Sequence, residues 1–108
     1  MKFVKQHEWV MPENIPDAVF ESDIIAIDLE TKDPNLKKIG AGWSRNDGYT
    51  IGVAIAVEGW KGYFPIRHEI GPNFDEKVLK RILKKLLATD ATKVFHNAIY
   101  DIGWLSHM

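Results

Sequence analysis

Two acids separated by one residue, Asp28 and Glu30, close the apolar run Ile24-Ile25-Ala26-Ile27. A third, Asp101, lies far downstream in His96-Asn97-Ala98-Ile99-Tyr100-Asp101, just behind a second apolar run. Side chains two apart on a strand share a face, so Asp28 and Glu30 project together while Ile27 and Leu29 face the opposite way. Carboxylates held this closely repel each other, and at least one is driven toward its protonated form unless a cation sits between them. A divalent ion removes that cost. Mg²⁺ takes oxygen ligands at about 2.0–2.1 Å and commonly uses one or two carboxylates together with phosphate oxygens. Two such ions about 3.5–4 Å apart can stabilise both the attacking water and the leaving oxygen in phosphodiester cleavage. An isolated Asp-x-Glu is equally what a strand end meeting solvent looks like, because exposed acids are common. Asp101 also has a plain structural reason to exist, since an acid in the first turn of a helix is favoured by the helix dipole, by about 0.3–1 kcal/mol.

The elements that must carry these acids can be read from pattern. Residues 1–23 show little periodicity, hold Pro12 and Pro16, and read as an extended lead-in. Ile24 to Leu29 is a near-continuous, β-branched run, which suits a strand covered on both faces. Residues 32–48 form a long loop with Pro34, Gly40, Gly42 and Gly48, and long loops in compact domains are often functional. Trp43 in that loop could stack on a base or pack beneath the loop. Tyr49 to Val57 and Gly59 to Ile66 read as two strands joined at Glu58-Gly59. Asn73 with Glu76 three residues later reads as a capping box. It opens a helix whose stripe is Val78, Leu79, Ile82, Leu83, Leu86 and Leu87. Lys77, Lys80, Arg81, Lys84 and Lys85 fall off that stripe, as on an ordinary solvated face. Thr92 to His96 is a short strand. Asn97 is a candidate N-cap for a last helix over roughly 98–107, with Ile102 and Leu105 expected toward the core. The order strand, strand, strand, helix, strand, helix implies an α/β fold, a mixed sheet with helices packed on it.

Bulk properties narrow the options. At 108 residues the chain is expected to be one domain. Lys plus Arg number 14 against 15 Asp plus Glu, so overall charge makes no case for a nucleic-acid partner, and positive charge would have to come from a local site such as a metal cluster. There is no cysteine, which excludes disulfides, cysteine-based zinc sites and a thiol nucleophile. His7, His68, His96 and His107 are dispersed without zinc-ligand spacing. No glycine-rich phosphate loop occurs, and Ser22, Ser44 and Ser106 lack a nucleophile context. No apolar run approaches the roughly 20 residues of a membrane span, and the N-terminus lacks a signal-peptide core. The expected location is cytoplasmic, with no membrane partner.

The motifs carry a family resemblance. Ile27-Asp28-Leu29-Glu30-Thr31 resembles the first motif of the DEDD 3′–5′ exonuclease superfamily, and His96-Asn97-Ala98-Ile99-Tyr100-Asp101 resembles its second. Gly40-Ala41-Gly42-Trp43, Asp47-Gly48-Tyr49, Ile51-Gly52-Val53-Ala54 and Tyr63-Phe64-Pro65-Ile66-Arg67-His68-Glu69 are similar to the proofreading domain of family A DNA polymerases, bacteriophage ones in particular. The resemblance covers nearly the whole chain. It implies a ribonuclease H-like sheet over residues 24–108 and hydrolysis of 3′-terminal nucleotides from single-stranded DNA with two Mg²⁺ or Mn²⁺ ions. It implies that Asp28, Glu30 and Asp101 are the catalytic metal ligands, Asp28 being shared by both ions. By the same resemblance Thr31, Asn97 and Tyr100 bind the terminal nucleotide; capping by Asn97 and packing by Tyr100 are the structural alternatives. The implied setting is a bacterial or phage-infected cell.

One part of the family pattern is missing. The third motif, Tyr-x-x-x-Asp or His-x-x-x-x-Asp, does not occur after Asp101, and the last histidine, His107, is followed only by Met108. The expectation is therefore a fold cut before its last helices, with a fourth carboxylate to come from the polymerase portion of a longer chain or from a separate partner. Such a piece would expose apolar sheet surface and tend to self-associate. Two rivals share the residues: a catalytically incomplete fragment, and an RNA-trimming relative with the same metal core.

Overall fold

The computed structural model describes residues 11–108. A four-stranded sheet organises them, in the spatial order β3-β2-β1-β4, with β1 at Ile24–Lys32, β2 at Tyr49–Val57, β3 at Trp60–Pro65 and β4 at Thr92–Phe95. β1 runs antiparallel to β2 and parallel to β4, and β2 runs antiparallel to β3. The two longest helices are α3, Glu76–Leu87, and α4, Ala98–Ser106. They are preceded by two four-residue helices, α1 at Asp17–Phe20 and α2 at Leu36–Ile39, and a 3₁₀ turn spans Gly42–Arg45. This mixed α/β arrangement is compatible with a ribonuclease H-like core, as the sequence leads one to expect. Among the described residues no helix is long and apolar enough to cross a membrane.

Alternation within the strands creates the two sheet faces. Ile25, Ile27 and Leu29 of β1 are buried, together with Val53 and Ile55 of β2 and Phe64 of β3. Leu79, Leu83 and Leu86 of α3 join them, as do Phe74, Trp104, Ile15 and Val19. The other face carries Ile24, Ala26, Asp28 and Glu30 of β1, with Ala54 and Ala56 of β2 and Val94 of β4 in register beside them. It stays open: Ile24 is 59% and Val94 48% exposed. The expectation of a strand covered on both faces is corrected here. Among the described residues β1 is covered on one side only, and the β-branched run continues onto the exposed side.

Smaller differences have local causes. The segment expected to be extended before β1 contains α1, which sinks Val19 into the core; residues 1–10 of that lead-in lie outside the described part. The N-cap of α3 is Asp75, not Asn73: its Oδ1 accepts from the Lys77 and Val78 amides at 2.9 and 3.2 Å. Asn73 instead clamps the backbone of His68, and Glu76 pairs with Arg67 at 3.1 Å. Ile102, which the helical spacing places toward the core, is 51% exposed, and Trp104 takes the buried position on α4. The nine-residue helix can turn only one narrow stripe to the core, and that stripe runs through Tyr100, Asp101 and Trp104.

The long loop is pinned rather than loose. Trp43 lies against Gly103 of α4, where a Cβ would come within 2.3 Å of the indole. Its ring also meets His107 at 5.8 Å between centroids, so Trp43 packs beneath the loop. Gly103→Ala is expected to push Trp43 off α4 and cost about 1–3 kcal/mol, the usual price of overpacking. Urea unfolding followed by tryptophan fluorescence measures this; an unchanged midpoint would contradict the contact.

Candidate active site

The acidic end of the sheet is assembled by the parallel pairing of β1 with β4. Ile24 to Ile27 pair with Thr92 to Phe95. β4 then stops, and Asn97 turns the chain into α4 beside the free half of β1. The Asn97 side chain accepts from the Tyr100 amide at 3.4 Å, and the Asn97 amide donates to Asp101 Oδ2 at 3.4 Å. This reciprocal cap satisfies backbone donors at the helix start and orients Asp101 at once. The capping role of Asn97 is therefore present in the structure.

Asp101 is only 2% exposed. Burial pushes its pKa above the ordinary aspartate value of 3.8; the Asn97 amide works against this, Asp28 raises it further by repulsion, and His96 lowers it slightly. Asp28 and Asp101 are thus near enough to feel each other although they stand 73 residues apart in the chain (101 − 28). Glu30 shares the face of Asp28 but is held to one side. Its Oε2 accepts from the Tyr63 hydroxyl at 2.7 Å, and His68 Nε2 lies 4.0 Å away. Burial and the Glu30 carboxylate together push the Tyr63 phenol strongly upward, so Tyr63 keeps its proton.

Thr31 and Tyr100 are joined to each other. Their hydroxyls lie 2.7 Å apart, and the Tyr100 hydroxyl donates to Asp33 Oδ2 at 3.0 Å. That same oxygen accepts from the Gly42 amide at 3.0 Å, while Asp33 Oδ1 is buried without a hydrogen-bond partner. Desolvation raises the Tyr100 pKa; Thr31 opposes this and Asp33 adds to it. Asp33 thereby ties the strand end, the 3₁₀ turn and α4 together. A β-bulge between Glu30 and Thr31 falls at this point: Glu30 pairs with Gly52, and Thr31 with Thr50. Bulges re-aim side chains and are common beside active sites. Further out, Asn35 donates to Asp47 at 2.9 Å, and this bond leads the causes that lower the Asp47 pKa, with Arg45 adding to it.

The places of Asp33, Tyr63 and His68 beside the acids have no signature in the sequence. An Asp next to Pro reads as loop chemistry, and a Tyr on a neighbouring strand gives no sign of what it reaches across the sheet. The carboxylates of Asp28 and Asp101 offer hard oxygen ligands of the kind that suit Mg²⁺ or Mn²⁺, with His96 beside them. A cation between Asp28 and Asp101 would relieve the repulsion between them. Among the described residues, however, no three His, Asp or Glu side chains close around one point. Glu30 has one oxygen engaged by the Tyr63 hydroxyl, which leaves the other unengaged by that bond.

No protein-family model matches the chain. Over 103 residues it is 37% identical to a DNA-directed DNA polymerase of Pseudomonas phage M6, in a match that takes 92% of this chain and 16% of that polymerase. The chain is thus related to a segment of a phage DNA polymerase, and it spans well under a fifth of that relative's length.

The Asp101 shift sets a pH dependence. A carboxyl whose folded-state pKa is raised binds its proton more tightly when folded, so the folded state loses stability as pH rises through that window. Above its folded pKa the charged Asp101 is a net cost. In chelator, Asp101→Asn should therefore melt at a higher temperature than the parent at neutral pH, and the gap should close as pH falls through the raised folded-state pKa toward the ordinary value of 3.8. Thermal unfolding by circular dichroism across pH checks both halves.

Proposed function

We propose that this chain is the metal-binding front portion of a 3′–5′ exonuclease unit belonging to a phage-type DNA polymerase. It would remove 3′-terminal nucleotides from single-stranded DNA during proofreading. The observation that carries the reading is the juxtaposition of Asp28, at the middle of the sheet, with the buried Asp101 at the start of α4. Structure alone has little use for two repelling carboxylates at this place, and their repulsion disappears when a divalent cation binds. The similarity to a segment of a phage DNA polymerase supports the same setting, a replicating cell infected by phage.

Asp28, Glu30 and Asp101 would hold the ions, two Mg²⁺ or Mn²⁺. The ions would supply charge stabilisation for the scissile phosphate and a water acidic enough to attack at neutral pH. Asn97 fixes Asp101 through its amide. Thr31 and Tyr100, joined at the rim, would meet the terminal nucleotide, with Asp33 keeping the Tyr100 hydroxyl aimed at Thr31. The strand would approach by backbone and stacking contacts with little sequence preference.

A second segment belongs to this reading. The open sheet face exposes Ile24 and Val94 beside Ala26, Ala54 and Ala56, and it leads directly to Asp28. We infer that another part of the polymerase covers this face. Without it, the chain pairs with copies of itself through the same surface.

Two experiments test these statements. A 3′-labelled single strand incubated with Mn²⁺ should shorten one nucleotide at a time, and Asp28→Ala should lower the rate about 100-fold or more. An RNA strand run alongside reads the substrate preference, and equal shortening by the variant would sink the site. For the surface, Val94→Lys should abolish concentration-dependent association in sedimentation while shifting the monomer's unfolding free energy by no more than about 0.5 kcal/mol. Association that persists in the variant would place the contact elsewhere.

A further inference from the structure

Tyr63 stands on β3 and Glu30 on β1, with β2 between them. Their hydrogen bond, 2.7 Å from the phenol to Oε2, therefore crosses a whole strand on the open face. It can do so because β2 carries Gly52 opposite Glu30. A Cβ at that position would lie 1.8 Å from the Tyr63 hydroxyl and 2.3 Å from the ring carbon bearing it. Any residue but glycine would block the path.

The phenol is itself held from the other side. His68 Nε2 lies 2.6 Å from the Tyr63 hydroxyl, with the two rings edge-on at 83°. A tyrosine hydroxyl has one proton to give. With that proton directed at Glu30, His68 must donate from Nε2. His68 is positioned in turn by its backbone, whose amide donates to Asn73 Oδ1 at 2.8 Å and whose carbonyl accepts from Asn73 Nδ2 at 3.0 Å. The link runs from the loop before α3, through His68 and Tyr63, across β2 to the Glu30 carboxylate. The His68 end of this link is braced, since Arg67 next to His68 pairs with Glu76 on α3.

We propose that Tyr63, backed by His68, is a positioning residue for Glu30. By taking Oε2 it sets the direction in which the carboxylate presents its other oxygen to a divalent ion at Asp28. Carboxylates that bind metals are commonly held by such outer hydrogen bonds, and losing one weakens metal affinity about 10–100-fold. The inference rests on the metal-site reading above, and the test separates the two.

The probe is Mn²⁺ itself, titrated onto this chain with free ion followed by electron paramagnetic resonance, so that no turnover is needed. Tyr63→Phe should weaken Mn²⁺ binding about 10–100-fold with its melting temperature close to that of the parent. Gly52→Ala keeps the hydroxyl but obstructs its route, and should weaken binding to a similar degree. His68→Gln, whose amide can still donate to the phenol, should retain more affinity than His68→Ala; equal losses would remove His68 from the proposal. If Asp28→Asn loses Mn²⁺ while Tyr63→Phe binds it as tightly as the parent, the positioning role is overturned and the metal site stands. If the parent binds no Mn²⁺, or Asp28→Asn binds it equally well, the metal site falls and the positioning role with it.

Discussion

The parallel pairing of β1 with β4 governs the acidic end of this protein. It brings Ile27 beside Phe95, so the chain leaving β4 must turn where β1 still runs on. Asn97 makes that turn as a helix cap, and the cap's amide is the same group that steadies Asp101. One local event thus starts a helix and seats a buried carboxylate that feels the charge of Asp28. The repulsion this creates is a cost that burial magnifies, because a charge in a low-dielectric setting is poorly screened.

Around that pair the two neighbouring carboxylates are treated differently. Glu30, exposed on the open face, is steered by a tyrosine that reaches it across a glycine. Asp33, just past the end of β1, is drawn into the loop and serves as a tie between Gly42 and Tyr100. The acids that lie close together in sequence therefore have separate environments. Their hydrogen-bond partners come from three different elements, β3, the 3₁₀ turn and α4.

The open sheet face gives this arrangement its second consequence. The core face is filled by α3 and Trp104, so stability is concentrated on one side of the sheet. The other side couples small residues and exposed Ile24 and Val94 to the carboxylates themselves. A segment that covered the apolar half would lie immediately beside Asp28.

Much of this was legible in the residues. The four strands, the two long helices, the cap at Asn97 and the shared face of Asp28 and Glu30 all follow from short-range rules: alternation along strands, the helical stripe from Val78 to Leu86, and cap chemistry. Those rules involve neighbours in the chain, which is why they can be read one segment at a time. They misled where two side chains could serve equally, as with Asn73 and Asp75 at the start of α3, and where a β-branched run left unstated whether one face or both would be covered. Only the tertiary structure decided that Asp101 comes under the influence of Asp28, that Tyr63 reaches Glu30 over Gly52, and that Trp43 rests on Gly103. Each of these depends on strand order and register, quantities set by the packing of the whole sheet and by no residue's own preference.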